Sequence, residues 1–454
     1  MNKGQTDNQG ARDAAIHIVK RLKSSGFTAL FAGGCVRDMC MGRNPSDYDV
    51  ATNAPPSTIR ELFDHVVEVG AAFGVSRVLL NDTTTEVAAF RTDVGIADGR
   101  HPAAVRFCGP EEDARRRDFT INGMFFDPIE NKVLDFIGGR QDIEQRLVRA
   151  IGDPAERFAE DYLRMLRAVR FAGTLDFEIE SCTMESIRRL ASRVADISVE
   201  RIQYELTRLL TESPHAGRAM QLLFDAGLLN VILPEAAAMA GQGQSPDFHP
   251  EGDVFTHTIM MLDSMEPARS ATLAYAVLFH DIGKPPTAET IQEETGGERI
   301  RFHGHAAKGG ALTEAIMKRL HMSSQLIADV VHCVCNHMRF MDVQRMRTAK
   351  LRRMIAAPTF EVELELHRLD CLNSHGDLGN YHFLRDFMQQ IGNEPALPPP
   401  WITGNDIMAL GIPEGPQVGL WHRRAYEAQL ENRFSSREEL LMWIRESTQI
   451  DRET

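Results

Sequence analysis

What this sequence lacks narrows it first. In 454 residues there is no run of the ~18 apolar residues that a membrane-crossing helix needs. The opening stretch, Met1 to Arg12, is polar and holds no apolar signal core. Cysteine is sparse: seven residues, scattered and odd in number, with no C-x-x-C pair to hold zinc. Cys333 and Cys335 are too close in sequence for an ordinary bridge. Reduced thiols and a cytoplasmic location are the expectation. Positive charge is also short, since 50 basic residues face 64 acidic ones. A protein that coats nucleic acid through bulk charge is thereby disfavoured. Local basic faces remain open: Arg115-Arg116-Arg117, Arg164/Arg167/Arg170 and Lys350/Arg352/Arg353.

What is present is ordinary globular material, 43% hydrophobic and 25% charged, and the length calls for two to four domains. The first 150 residues alternate short helices with strands rich in β-branched residues. Helices are expected at Ala11–Lys23 and Ser57–Phe63, and strands at Phe27–Phe31, Val66–Val69, Val75–Leu80 and Thr84–Phe90. From Asp153-Pro154 onward the pattern turns helical. The expected class is α+β: a head with a mixed or antiparallel sheet (1–150), a helical neck (151–240), a helical domain (245–390) and a helical tail (396–454).

The chemistry concentrates after the first strand. Gly33-Gly34 lets backbone N–H groups approach a phosphate, and Arg37 follows at a helix start. Asp47 and Asp49 alternate along a strand, so their side chains share a face and repel unless a cation lies between them. Glu86, in a later strand, is a candidate third carboxylate. Phosphate donors beside paired acids describe a Mg²⁺-nucleotide site for phosphoryl or nucleotidyl transfer. In Arg116-Arg-Asp-Phe-Thr-Ile-Asn122, the guanidiniums suit phosphate oxygens, or alternatively pair with Asp113 and Asp118; Asn122 can bond a sugar or phosphate. Glu160 to Phe171 reads as one amphipathic helix with Asp161 and Arg164 on one face. A carboxylate beside a guanidinium matches the amine and ring nitrogen of cytosine or adenine, and mismatches uracil and guanine.

At this point the chain resembles the class II tRNA nucleotidyltransferases, the bacterial CCA-adding enzymes and their poly(A) polymerase relatives. The likeness runs from Phe27 to Leu206. It rests on Gly-Gly-x-Val-Arg-Asp at 33–38, Asp47/Asp49, Asp98-Gly-Arg-His-Pro102, the 116–122 stretch, Asp135-x-x-Gly-Gly139, Gly152-Asp-Pro154, Glu160-Asp-x-x-Arg164 and Glu200-Arg-Ile-x-x-Glu-Leu206. The resemblance implies addition or repair of the 3′-terminal CCA of tRNA from CTP and ATP. Asp47 and Asp49 would bind Mg²⁺. Gly33, Gly34 and Arg37 would hold the triphosphate, and Arg116 and Asn122 would contact the nucleotide. Asp161 and Arg164 would form the protein template for the base, with Arg167 and Arg170 along the same helix. The loop around Asp93 to Arg100 would help switch from CTP to ATP. Gly123 replaces the family's usual alanine, and Ile96 stands where an aromatic is common. CC-adding, A-adding and poly(A)-adding relatives share these motifs.

In the second half, Gly241–Asp253 reads as a linker, followed by a histidine-rich region. His280-Asp281 after an apolar helix resembles the HD-domain metal phosphohydrolases. That likeness implies a divalent metal on His257, His280, Asp281 and Asp370, with His305 and His337 as further ligands, and phosphohydrolase activity as a rival main function. After the proline-rich Pro395–Pro400, the tail resembles the segment that cradles tRNA in the first family.

Overall fold

The computed structural model describes residues 3–68, 74–80, 82–96, 102–244, 252–266, 269–292 and 298–453. The Asp98 to His101 part of the expected switch loop lies outside these residues, as do 245–251 of the expected linker. Two compact units divide the chain near Ala237: head and neck fall in the first, the histidine-rich region and the tail in the second.

The head opens with α1 (Lys3–Ser24), whose Ala15, Ile18, Val19 and Leu22 are fully buried at helical spacing. Gly26, at φ 89°, ends it. There follow β1 (Ala29–Ala32), α2 (Gly34–Cys40), β2 (Asp49–Thr52), α3 (Pro56–Leu62), β3 (Val66–Glu68), β4 (Val75–Leu80) and β5 (Thr83–Ala89). After them come β6 (Arg91–Ile96), β7 (Pro102–Phe107), α4 (Pro110–Arg116), a 3₁₀ turn (Thr120–Asn122), β8 (Phe125–Asp127), β9 (Lys132–Leu134), α5 (Gly139–Glu144) and β10 (Leu147–Val148). The sheet runs β3-β4-β5-β2-β1-β8-β9. Every pairing in it is antiparallel except β2 with β5, where Val50 faces Val87. That crossover sets the start of β2 beside the middle of β5. Of the span expected as a loop over Thr92–Val105, the described residues 92–96 and 102–105 form a ribbon instead, β6 paired to β7, with Arg91 opposite Phe107. Its β-branched residues and the hairpin register outweigh its polar composition.

The neck holds α6 (Pro154–Glu160), α7 (Leu163–Leu175), β11 (Glu178–Ile179), α8 (Ser181–Leu190), α9 (Val199–Glu212), α10 (Ala216–Asp225), α11 (Leu229–Ile232) and α12 (Pro234–Ala237). The single helix expected over Glu160–Phe171 is broken. Asp161 is extended at φ −158°, ends α6, and accepts the Leu163 N–H that opens α7. Asp161 therefore sits in a turn, not one helical step from Arg164. Leu163, Leu166, Val169 and Phe171 are buried as the periodicity requires.

The second unit contains α13 (Val254–Asp263), α14 (Ala271–Phe279), the hairpin β12 (Glu289–Gln292) and β13 (Glu298–Arg301), then α15 (His305–Arg319), α16 (Ser324–Asn336), α17 (Thr348–Ile355), α18 (Phe360–Leu372) and α19 (Gly379–Ile391). α14 is apolar around its circumference and buried from Leu273 to Phe279. The tail helices α20 (Gly404–Ala409), α21 (Pro416–Leu430) and α22 (Arg437–Glu453) close on their own core of Ile402, Ile407, Ile412, Trp421, Leu440 and Ile444.

Candidate active site and metal centre

One cavity of about 770 Å³ in the first unit gathers most of the residues singled out in the sequence. Gly33, Gly34, Arg37, Asp47, Asp49 and Glu86 line it. So do Arg116, Asn122, Arg164, Arg167 and Arg170. Asp161 is the one expected head or neck residue not on its wall.

At its acidic end, Asp49 opens β2 while Asp47 lies in the preceding turn, so the two are not alternate residues of one strand. The parallel β2/β5 pairing supplies Glu86, which had only strand propensity to recommend it. Asp49 is open to the cavity, yet its carboxyl is packed among protein atoms. That burial, together with Asp47 and Glu86, pushes it up to about 7, against the opposing pull of Arg117. Three hard oxygen donors in surplus over local cations suit a divalent ion of the Mg²⁺ type.

Beside the acids, Gly33, which follows the Ala32 that pairs with Asp49, caps α2 at φ 74°, where a side chain would be strained, and a Cβ there would meet the Arg117 guanidinium at 3.2 Å. Arg37 donates to Asn122 Oδ1 at 2.9 Å and lies 5.5 Å from the centre of the Phe171 ring. Asn122 in turn reaches Asp118, which takes two hydrogen bonds from Arg167 at 2.8 and 2.6 Å. Burial alone would raise the Asp118 carboxyl, but Arg167 and the Phe119 N–H hold it below the ordinary value.

The arginines divide. Arg116 and Arg117 both pair with the buried Asp113, at 2.6 and 3.0 Å, and Arg116 also donates to the Arg91 carbonyl. Arg170 is 3% exposed and bonded to the buried Glu205 at 2.5 Å. Arg170 lines the cavity with its guanidinium already paired to that carboxylate. Asp161 is gripped by Arg201, and Arg164 by Glu160 and the Arg157 carbonyl, so the two side chains have different partners, while the Arg164 N–H donates to the Asp161 carbonyl at 3.1 Å. Sequence reading named Arg117 only as part of a basic face and Asp118 only as an alternative partner of the arginines; Arg201 appeared only inside a quoted motif, and Arg208, on the cavity wall, was passed over. The third basic group is not a free face: Arg352 is buried against Glu394, and Arg353 is paired with Glu427.

In the second unit two sets of ligand atoms lie within 4.8 Å: His257, His280 and Asp370, and Asp281, His305 and His337. These are the expected six. Among the described residues they are the sets that close, and the head trio is not one of them. Three imidazoles are anchored alike. Nδ1 of His280, His305 and His337 donates to the carbonyl three residues earlier, at 2.8, 2.9 and 2.7 Å. That fixes the tautomer and turns each Nε2 lone pair inward. His305 and His337 then face each other Nε2 to Nε2 at 3.2 Å, two lone pairs that repel unless a cation accepts both. Burial lowers His337 to about 4, so its lone pair is available at neutral pH. His257 Nε2 lies 3.1 Å from Asp370. Mixed imidazole and carboxylate donors fit divalent transition ions. His303, His321, His332, His367 and His375 stay outside both sets; His367 instead stacks on Phe340, ring centres 5.0 Å apart.

Residues 29–149 match the model of the poly(A) polymerase head domain. Residues 176–239 match the probable RNA and SrmB-binding site of polymerase A, and 253–365 match the HD domain. Curated relatives include the CCA-adding enzyme of Geobacillus sp. strain WCH70, 41% identical over 215 residues, or 47% of this chain and 53% of that protein. That of Bacillus subtilis is 42% identical over 215 residues, 47% and 54%. The chain spans about half the length of the curated relatives it matches. Over the whole chain the fold is that of the solved Bacillus stearothermophilus CCA-adding enzyme in complex with CTP (25% identity, TM-score 0.71, all of both chains). The Thermotoga maritima CCA-adding enzyme complexed with tRNA is alike in fold (17% identity, TM-score 0.61, 96% and 95% covered). Among the described residues, no helix is long and apolar enough to cross a membrane.

Proposed function

We propose that this protein is a template-independent tRNA nucleotidyltransferase that builds or repairs the 3′-terminal CCA from CTP and ATP. The observation that carries this reading is the shared cavity. Asp47, Asp49 and Glu86 line it together with Arg37, Asn122, Arg116 and Arg117. A triphosphate laid between them has its reacting phosphorus near the acids. Mg²⁺ held by the three carboxylates supplies charge stabilisation for the attacking and leaving oxygens. The chain's own residues do the rest. Gly33 allows close approach of the phosphate chain, Arg37 and Asn122 orient it, and Asp47 positions the primer 3′-hydroxyl for in-line attack, with pyrophosphate leaving. Asp161 and Arg164 select the base, held by Arg201 and Glu160. The likeness in name to CCA-adding enzymes supports tRNA, CTP and ATP as partners, and the tail as a tRNA-binding element.

The test is extension of three tRNA transcripts, ending at the discriminator base, at C and at CC, with CTP, ATP or both. Growth by three nucleotides from the first supports the proposal. Arrest after CC, action on the CC end alone, or long A tails would each move the assignment to a sister activity. No extension at all would leave the second reading. That reading, a metal phosphohydrolase, is favoured by one observation: the converging Nε2 atoms of His305 and His337. Ring opening of 2′,3′-cyclic nucleotides to the nucleoside monophosphate, lost in His337→Ala, is its measurement.

A further inference from the structure

One phenyl ring on the wall of the head-and-neck cavity is surrounded by positive charge. Phe171, on α7, is 7% exposed and lines that cavity. Three guanidiniums lie over its ring. That of Arg170 is 4.2 Å from the ring centre, that of Arg167 5.1 Å and that of Arg37 5.5 Å. The first two stand on α7 with the ring, but Arg37 belongs to α2 of the head. Phe119, also of the head, meets the ring edge to face at 5.8 Å.

Each guanidinium has a carboxylate of its own. Arg37 pairs with Asp38 at 2.7 Å, Arg167 with Asp118 at 2.6 Å and Arg170 with Glu205. These pairs balance charge, yet none ties Arg37 to the neck: its polar partners, Asp38 and Asn122, both belong to the head. The ring is what α7 offers to Arg37. An aliphatic side chain could fill the same space. A π-system adds a negative face that attracts a guanidinium, and where water is scarce that attraction shifts an equilibrium by about tenfold or more.

We propose that Phe171 is a positioning residue for nucleotide binding: its ring holds the Arg37 guanidinium, and with it the charge that orients the triphosphate, in place against the helix that carries Arg164. The inference rests on the nucleotide site proposed above and assigns Phe171 no contact with the nucleotide itself.

Fluorination of the ring is the test, because fluorine drains the negative face and changes the size little. In the full-length protein Phe171 is replaced by mono-, di- and trifluorinated phenylalanine, and binding of CTP and of ATP is followed by calorimetry. The Kd should climb about twofold with each fluorine, alike for CTP and ATP, while the melting temperature holds steady. In Arg37→Ala, which binds both nucleotides weakly, the climb should vanish, since two residues that act through one contact are not additive.

A flat series would overturn the proposal and leave Phe171 as packing. A melting temperature that falls in step with the loss of affinity would do the same. A climb that persists in Arg37→Ala would move the effect to Arg167 and overturn the assignment to Arg37. A climb for one nucleotide alone would tie the ring to the base and overturn the triphosphate role. Absence of CTP and ATP binding in the unmodified protein would overturn this inference together with the nucleotidyl-transfer reading. The expected climb without any extension of tRNA would uphold Phe171 and overturn the transfer reading alone.

Discussion

Arg201 grips the carboxylate of Asp161 with both terminal nitrogens, at 3.1 and 2.6 Å, across a turn and forty residues of sequence. The side chain proposed to read the base is therefore held by α9 and not by its own helix. Arg201→Ala frees it. We expect the preference for CTP over UTP to fall by about tenfold, on the order of one charged hydrogen bond, with the melting temperature little changed. Competition between the two nucleotides on a discriminator-ended tRNA measures it. An unchanged ratio would detach Arg201 from base selection.

Asp49 yields a pH prediction in the absence of metal. Its carboxyl is raised from the ordinary range to about 7 in the folded protein. Between about pH 4 and pH 7 the folded state holds a proton that the unfolded state has released. Stability therefore falls as pH rises through that window, and the loss is complete above it. Asp49→Asn removes the titration. In EDTA it should match the wild type near pH 4 and melt higher at pH 8, while nucleotide transfer is abolished. A variant that melts lower at pH 8 would contradict the acidic crowding.

Arg170 separates packing from chemistry. Both it and Glu205 are buried, so Arg170→Met strands a carboxylate and should cost about 3–5 kcal/mol. Arg170→Met/Glu205→Leu should recover most of that loss in a denaturant titration. If the single variant were as stable as wild type but bound CTP poorly, the residue would be a ligand after all.

The histidine sets predict two metal ions per chain. After dialysis against Mn²⁺ or Co²⁺, elemental analysis should give about two ions, falling to about one in His337→Ala and likewise in His257→Ala. Chelation should lower the melting temperature of the wild type. One ion in all three proteins would dissolve one of the sets.

The sequence disclosed these sites unevenly, for reasons visible in particular residues. Gly33, Asp49 and His280-Asp281 were legible because each depends on a local backbone shape or a short motif, whereas His257, His305, His337 and Asp370 came only from the resemblance to the HD-domain family. Glu86 was half legible: its strand could be read, but its neighbour across the parallel β2/β5 pair could not. The ribbon β6–β7 was misread because its polar residues imitate a loop. Asp161 was misplaced because the break after Glu160 is made by its own side chain, which caps α7. Asp113 was open to sequence reading as a partner of Arg116 and Arg117, whereas Glu205, the partner of Arg170, is a matter of burial, and burial is decided by the whole fold. Gly123 had looked like a minor departure from the family. A Cβ there would meet Ile137 Cδ1 at 2.2 Å, so the missing methyl matches the larger neighbour.

The parallel pairing of β2 with β5 carries a kinetic consequence. Asp49 and Glu86 become neighbours only after α3, β3 and β4 have been made and folded back. Hairpins close locally and early, whereas a crossover must wait for distant chain, at a loop-closure cost that grows with its length. The acid trio is therefore completed late in folding. On a chain emerging from the ribosome, repulsion between Asp47, Asp49 and Glu86 is postponed until the strands able to hold them together have arrived.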